Sequence, residues 1–422
     1  MGLQSDRAGG VRQEVRPVGR EGVLRYVARQ PILDRKGRVH GYELLFRNGP
    51  EALFSGDGET ATRTMLDNAV LFGLERLAGG ATAFVNCTRE ALTELLVDVL
   101  PSSLTVLEIL ENLDPDPRLV EACRALKISG FRLALDDFTW PPGIEPLVEL
   151  ADYIKIDFTL SGPRERRSIL RRLGTKAVAL VAEKVETQEE YNEARAEGFT
   201  LFQGYYFCRP ILMERRKVPA NRISQVEILQ MLRDSSIDLN RLANAVKRDA
   251  SLTYRLLRLI NSPVYAVRQE VSSVRMALLA VGEETFRRVA TLAIASEMNA
   301  NQPAELLRMS FVRARFCELA APHCALDATE QYLLGMLSLL PAMLQLPAEE
   351  LAPSLPLRQP VRQALEGAEV PEGVLLRWLI RHEHGDWAAC DDLARQAKLA
   401  PELLPVCYAQ ALLWAETVVH LV

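Results

Sequence analysis

The sequence predicts an α/β barrel followed by an all-helical domain, and three observations carry this prediction. Short apolar segments rich in β-branched residues alternate with amphipathic helical segments up to about residue 212, which is typical of parallel strands joined by helices. Polar residues end most of the apolar segments, as expected where a barrel carries its site at the strand ends. After about residue 214 the strand pattern stops, and Leu and Ala recur at helical spacing.

The predicted barrel occupies residues 23–213. A first strand pair lies within "LRYVARQPILDRKGRVHGYELLFR". Six further strands are predicted in "ATAFVNCT", "SLTVLEILE", "GFRLALDDF", "ADYIKIDF", "AVALVAEKVE" and "FTLFQGYYF". Together they make a (β/α)8-like barrel, with a disordered tail at 1–22 and the helical domain at 214–422.

Composition excludes several classes of protein. A net charge of -5 over 422 residues gives no support to a broad nucleic-acid-binding surface. The seven cysteines are scattered and form no CxxC pair, which indicates reduced thiols. The first 22 residues lack the apolar core of a signal peptide, and the weakly charged run 332–348 carries Pro341, which favours a pair of core helices over a membrane span. We therefore expect a cytoplasmic protein with no membrane partner.

Charged and amide side chains stand at the ends of successive predicted strands. Packing does not explain them, because an unpaired charge is costly to bury. If the barrel closes, these side chains converge at one mouth. They are Glu43, Asn86, Glu108, Asp136, Asp137, Lys155, Glu183 and Gln203.

Several carboxylates with an asparagine form a set of hard oxygen ligands, which suits Mg²⁺ or Mn²⁺. Two such ions activate water and stabilise the leaving oxygen of a phosphodiester. Lys155 could orient that water, and Glu183 could act as the general base. Taken singly, Asp136 is explained as well by a capping role and Lys155 by a structural ion pair. Eight such residues in register favour a site, whether working or ancestral.

These residues stand in motifs that resemble those of the EAL domain, the bacterial cyclic-di-GMP phosphodiesterase module. The matching segments are "RQPILDRKGRVHGYELLFR", "FVNCT", "LEILE", "LDDF", "IKID", "AEKVET" and "QGYYF". The resemblance implies metal ligands at Glu43, Asn86, Glu108, Asp136 and Asp137, catalytic roles for Glu183 and Lys155, substrate contacts at Arg47 and Gln203, and supporting acids at Glu111 and Glu186.

The chain also departs from the family pattern. The family loop Gly-Thr-Gly-Tyr-Ser-Ser is replaced by "TWPPGIE", in which two prolines fix the backbone and remove amide donors. Leu44 stands where the name-giving motif has Ala, and Lys184 stands where the Glu-Gly-Val-Glu motif has Gly. The ligands persist while the loop that arranges them does not, which weakens the case for catalysis more than the case for ligand binding.

The second half resembles the HDOD domain, a helical output module related to HD-type phosphohydrolases. The resemblance rests on "LLRLINSPVYAVRQEVSSVRMALLAVGEETFRRV" and "QYLLGMLSLLPAMLQLPAEEL". No His-Asp dipeptide occurs in the chain, so we expect no HD-type metallohydrolase activity. His382 and His384 in "RHEHGDW" are interpreted as a helix end followed by a turn at Gly385, since residues two apart on a helix point in different directions.

The sequence therefore predicts a bacterial EAL–HDOD signalling protein. The favoured function is a cyclic-di-GMP-linked regulator or scaffold with a degenerate or weakly active barrel, whose HDOD domain binds a protein partner. The alternative is an active Mg²⁺- or Mn²⁺-dependent cyclic-di-GMP phosphodiesterase that produces the linear dinucleotide. A third interpretation is an interaction surface that binds neither metal nor nucleotide. A homodimer through the barrel would suit the resemblance.

Overall fold

The computed structural model describes the barrel and most of the helical domain. The described residues are 25–48, 73–208, 228, 231, 239–248, 250–265, 267, 269–299, 302–355, 357–400 and 403–419. The predicted tail at 1–22 lies outside these residues.

Eight strands close into a barrel in sequence order. The first strand is antiparallel to both of its neighbours, the second and the eighth, and the remaining neighbours are parallel. The predicted barrel is thus confirmed. The strands are β1 Arg25–Asp34, β2 Val39–Asn48, β3 Thr82–Cys87, β4 Thr105–Ile109, β5 Arg132–Leu135, β6 Tyr153–Asp157, β7 Ala179–Glu183 and β8 Leu201–Gln203.

Helices alternate with the parallel strands and begin at clear sequence signals. Asp116 caps one helix through the amide of Leu119, with Pro117 in its first turn. Thr187 and Glu190 form a reciprocal capping box on another. The barrel helices are α1 Leu74–Leu77, α2 Arg89–Thr93, α3 Pro117–Ile128, α4 Glu145–Leu150, α5 Pro163–Leu173 and α6 Gln188–Glu197.

The second half is helical throughout its described residues. Its longest helix bends at Gly282, which has φ 77°. The helices are α7 Leu239–Lys247, α8 Ala250–Ile260, α9 Val274–Met298, α10 Ala304–Ala320, α11 Ala328–Leu337, α12 Leu340–Leu344, α13 Ala348–Leu351, α14 Gln359–Leu365, α15 Val374–Glu383, α16 Trp387–Gln396 and α17 Leu403–Val419. Within the described ranges, no helix is long and apolar enough to cross a bilayer.

The helical domain packs against the outside of the first strand pair. Buried Arg29 donates to Glu416 of α17 at 2.9 Å, and Tyr42 donates to Glu305 of α10 at 2.7 Å. His382 of α15 is within 3.0 Å of the carbonyl of Val27. Apolar contacts accompany these hydrogen bonds. One continuous cluster of buried side chains extends through both domains.

A separate apolar layer fills the barrel interior. It consists of Ile32, Phe84, Val106, Ala134, Tyr153, Val181 and Leu201, one residue from each strand except β2. On β2 the corresponding place is close to Gly41, where a Cβ would lie 2.8 Å from the ring of Phe84 and 2.6 Å from the carbonyl of Thr82. The missing side chain therefore leaves room for the phenyl ring, and the filled layer forms a floor beneath the strand ends.

Candidate functional site

Strand geometry places the predicted site residues directly above the apolar floor. Side chains two residues apart on a strand share a face. Phe84 and Asn86 are so related on β3, and Val106 and Glu108 on β4. The same spacing relates Ala134 to Asp136, Tyr153 to Lys155, Val181 to Glu183 and Leu201 to Gln203.

Lys155 lies at the centre of this upper layer. Its side chain is fully buried, and its ammonium nitrogen lies 2.6 Å from Glu108 Oε1 and 2.7 Å from Asp136 Oδ1. Glu183 Oε1 lies 2.8 Å away and Glu43 Oε2 lies 3.1 Å away. Four carboxylates from four strands thus surround one cation, which leaves the group with excess negative charge.

Two amides fix the orientation of the Glu43 carboxylate. Asn86 donates to its Oε1 at 2.9 Å, and Gln203 donates to its Oε2 at 2.6 Å. Gln203 in turn donates to Gln30 Oε1 at 3.0 Å. Together with the Lys155 charge, these bonds lower the pKa of Glu43 even though burial acts in the opposite direction. Glu43 is therefore held as a carboxylate.

The other carboxylates are pushed toward protonation. Burial, followed by the charge of Glu43, raises the pKa of Glu108 well above its ordinary value. Burial also raises the pKa of Asp136, and it raises the pKa of Glu183 to about 8. Lys155 opposes these shifts but cannot balance four negative groups, so the cluster has a high affinity for protons or for an added cation.

Asp137 differs from the expectation of one continuous cluster. Its neighbour Asp136 contacts Lys155, whereas the Asp137 carboxylate lies 3.7 Å from the ammonium of Lys184. Lys184 also forms a close ion pair with Asp157, at the end of β6. The two adjacent aspartates therefore face two different ammonium groups.

The loop after the aspartates is held by the barrel's own helices. The Arg172 guanidinium carbon lies 4.0 Å from the centre of the Trp140 ring, and Phe138 packs against that ring edge-on at 5.5 Å. The indole nitrogen donates to Glu145 at 3.1 Å, and Arg172 bonds the same carboxylate at 3.2 Å. The Trp-Pro segment is thus tied to α4 and α5.

The remaining predicted residues lie farther from Lys155 or outside the description. Arg47 is on β2, but its side chain is outside the described residues. Glu111 is exposed, and its charge helps to raise the pKa of Asp136 and Asp137. Glu186 is half-buried, and its main-chain amide donates to Glu190 at 2.8 Å.

Two residues near the site were missed in the sequence. Gln30 lies opposite Glu43 in the β1–β2 register and bonds Gln203. Asp157 follows Lys155 by two residues, and its side chain is 2% exposed beside Lys184. The period-two rule applied to "IKID" could have found Asp157. Gln30 is harder to find, because β1 runs antiparallel to its neighbours. Gln30 therefore precedes Ile32 of the apolar floor, whereas on the parallel strands the site residue follows the floor residue.

The donor chemistry of the cluster fits a hard divalent cation. Buried oxygen atoms without a hydrogen-bond partner include Asn86 Oδ1, Glu108 Oε2 and Glu183 Oε2. All of these atoms are acceptors, which is what Mg²⁺ or Mn²⁺ coordinates. Among the described residues, no three His, Cys, Asp or Glu side chains already form an open ligand set. The carboxylates close on Lys155, so a cation would enter by drawing some of them outward.

Comparison with known proteins gives two domain families. The EAL domain model matches residues 86–210, and the HDOD domain model matches residues 219–351. Both matches lie inside the two predicted domains.

Two relatives align with this chain over most of both lengths. The chain is 34% identical to the uncharacterized protein YuxH of Bacillus subtilis, over 92% of this chain and 97% of that protein. It is 36% identical to the cyclic di-GMP phosphodiesterase CdgJ of Vibrio cholerae, over 86% of this chain and 85% of that protein.

A solved structure, the Klebsiella pneumoniae BlrP1 calcium/cyclic-di-GMP complex, aligns with a TM-score of 0.37 at 26% identity, over 44% of this chain and 56% of that one. The two domain matches and the two long alignments agree with the barrel and helices described above. The chain therefore belongs to the family of proteins in which an EAL domain is followed by an HDOD domain.

Proposed function

We propose that the protein is a divalent-cation-dependent phosphodiesterase that opens cyclic di-GMP to the linear dinucleotide. The observation that carries this proposal is the buried cluster of four carboxylates around Lys155, which has excess negative charge and unpartnered acceptor oxygens. The similarity to CdgJ, which is named a cyclic di-GMP phosphodiesterase, supports the same activity. This reverses the preference for a degenerate barrel that the loop sequence suggested.

Glu43, Asn86, Glu108 and Asp136 would hold Mg²⁺ or Mn²⁺. When bound there, the cation lowers the pKa of a coordinated water and offsets phosphate charge. Glu43 is the anchor of this set, because two amides already orient its carboxylate. A ligand fixed in this way loses little conformational freedom when it binds the ion.

The other polar residues supply proton transfer and positioning. Glu183 acts as the general base that takes a proton from the attacking water, since burial gives it the raised proton affinity that a base needs. Lys155 keeps its positive charge, because the four surrounding carboxylates raise its pKa despite burial. It holds Glu183 and Asp136 in position, and Gln203 and Arg47 contact the dinucleotide.

A second candidate is a sensor that binds cyclic di-GMP without turnover. The pairing of Asp137 with Lys184 and the anchored Trp140 loop favour it, because both differ from the family pattern at positions that would arrange a second ion. In this case the helical domain would carry the output. Leu279 on α9 is 79% exposed and Tyr254 on α8 is 65% exposed, and these are the first positions at which to test contact with a protein partner. The homodimer through the barrel also remains a prediction.

The experiment incubates full-length protein with cyclic di-GMP and Mg²⁺ or Mn²⁺, and separates the products by chromatography. We expect linear dinucleotide from the wild type and a loss of at least about 100-fold in Glu43→Gln, since one oriented ligand commonly supports several kcal/mol of transition-state stabilisation. Glu189→Gln on the exposed face of α6 is the matched control and should keep full activity. Binding of cyclic di-GMP without any product would favour the sensor instead.

A further inference from the structure

Lys184 is held at the site by an arrangement that its own backbone does not favour. It has φ 53°, in the left-handed region that costs free energy for residues other than glycine, and Asp137 has φ 38°. Backbone strain of this kind clusters at functional sites, which makes both side chains candidates for a role in ligand binding. Here the two side chains face each other across 3.7 Å.

Asp157 fixes the ammonium of Lys184 from the other side. Its Oδ1 accepts from the amide and the hydroxyl of Thr159, both at 2.6 Å, and from the amide of Leu160 at 3.1 Å. Its Oδ2 forms the close ion pair with Lys184. The turn immobilises this carboxylate. The Lys184 ammonium therefore has a fixed ion-pair partner, although half of the lysine side chain is exposed.

The two ammonium groups divide the acids of the strand ends into two sets. Lys155 faces Glu43, Glu108, Asp136 and Glu183, where one charge opposes four. Lys184 faces Asp137 and Asp157, where one charge opposes two. The first set also has unpartnered acceptor oxygens, whereas the Asp157 oxygens are both occupied. The acids around Lys155 therefore have the larger uncompensated negative charge, so an added cation would bind among them.

We propose that Lys184 takes the place of a second metal ion, so that the barrel binds one divalent cation per chain in place of two. This inference rests on the proposed function. The ammonium of Lys184 neutralises Asp137 and repels any second cation that approaches that carboxylate. The single ion binds on the Lys155 side, through Glu43, Asn86, Glu108 and Asp136.

The test counts Mn²⁺ ions bound to full-length, metal-free protein by titration with electron paramagnetic resonance. Free Mn²⁺ gives a six-line signal that disappears on binding, and two adjacent ions give a distinct spin-coupled spectrum. We expect one ion per wild-type chain and two coupled ions per chain in Lys184→Gly, which frees Asp137 and Asp157 and relaxes the backbone. Lys184→Arg keeps the charge and should remain at one.

Lys176→Met is the matched control, since it removes a different lysine ion pair, with Glu149 at 3.0 Å, and should also remain at one. Two ions in the wild type would overturn the inference and leave the phosphodiesterase proposal intact. One ion in both the wild type and Lys184→Gly would show that Lys184 excludes nothing. No bound ion in the wild type would overturn this inference and the metal-dependent function together.

Discussion

The hydroxyl of Tyr205 donates a 2.5 Å hydrogen bond to the main-chain carbonyl of Glu383 and so joins the end of the barrel to the end of α15. Gln30 donates to the same carbonyl at 3.2 Å and accepts from Gln203 at 3.0 Å. Since Gln203 also bonds Glu43, a line of hydrogen bonds connects the candidate site with the helical domain. A shift of α15 would therefore alter the hydrogen bonds that orient the Glu43 carboxylate.

Tyr205→Phe should weaken this junction. The variant removes one buried hydrogen bond and keeps the ring, which stacks on His384 at 3.9 Å. We expect the free energy of unfolding to fall by about 1 kcal/mol, the usual net value of such a bond. Urea unfolding measures it, and Tyr254→Phe on an exposed side chain is the control. Equal stability of both variants would mean that the bond to Glu383 contributes nothing.

Arg313→Met should be far more damaging. Arg313 and Glu383 form a bidentate pair at 2.6 and 3.0 Å, and both side chains are 5% exposed. Removing the arginine leaves a buried carboxylate unpaired, which costs about 3–5 kcal/mol. Arg395→Met breaks the exposed pair with Asp392 and should cost less than about 1 kcal/mol. Thermal unfolding of the two variants side by side checks this difference, and similar losses would contradict it.

The metal-free protein should lose stability as the pH rises from 6.5 to 8. The pKa of Glu183 is raised by burial from 4.5 to about 8. In this window the folded state keeps a proton that the unfolded chain has released, so the free energy of unfolding falls with rising pH. Each such proton contributes a slope of at most about 1.4 kcal/mol per pH unit, and Glu108, whose pKa is also raised well above its ordinary value, adds to the contribution of Glu183.

Glu183→Gln should reduce that slope by the contribution of one proton, whereas Glu189→Gln on an exposed helix position should leave it unchanged. Urea unfolding with a chelator at several pH values measures both. His382 acts in the opposite direction and mainly below this window, because burial lowers its pKa from 6.5 to about 3. A wild-type slope retained in Glu183→Gln would assign the proton to another group.

Trp140→Ala should loosen the loop that follows the paired aspartates. The variant loses the contact with Arg172 and the hydrogen bond to Glu145, whereas Trp140→Phe loses the hydrogen bond but keeps an aromatic ring beside Arg172. We expect faster amide hydrogen exchange at residues 137–144 in Trp140→Ala and a smaller increase in Trp140→Phe. Unchanged exchange in both would mean that the prolines alone hold the loop.

The sequence allowed the barrel, the helical half and most of the cluster to be predicted, because strand alternation and the closing of a barrel follow from local pattern. Glu108, Lys155 and Glu183 converge for that reason. The orientation of Asp137 could not be predicted, because it depends on φ 38° and on a lysine from the next strand but one. The hydrogen bond from Gln30 to Glu383 could not be predicted either, since it joins residues of two domains that are 353 positions apart in sequence.

The proposed function requires that this barrel hydrolyses a phosphodiester with a water molecule activated at the cluster around Lys155. The most direct test is turnover of cyclic di-GMP in water enriched in oxygen-18, with Mn²⁺ present, followed by mass spectrometry of the product. We expect linear dinucleotide with one heavy oxygen on its new terminal phosphate, and we expect none of this product from Glu43→Gln. Intact cyclic dinucleotide after prolonged incubation with the wild type, under conditions where Mn²⁺ is bound, would contradict it.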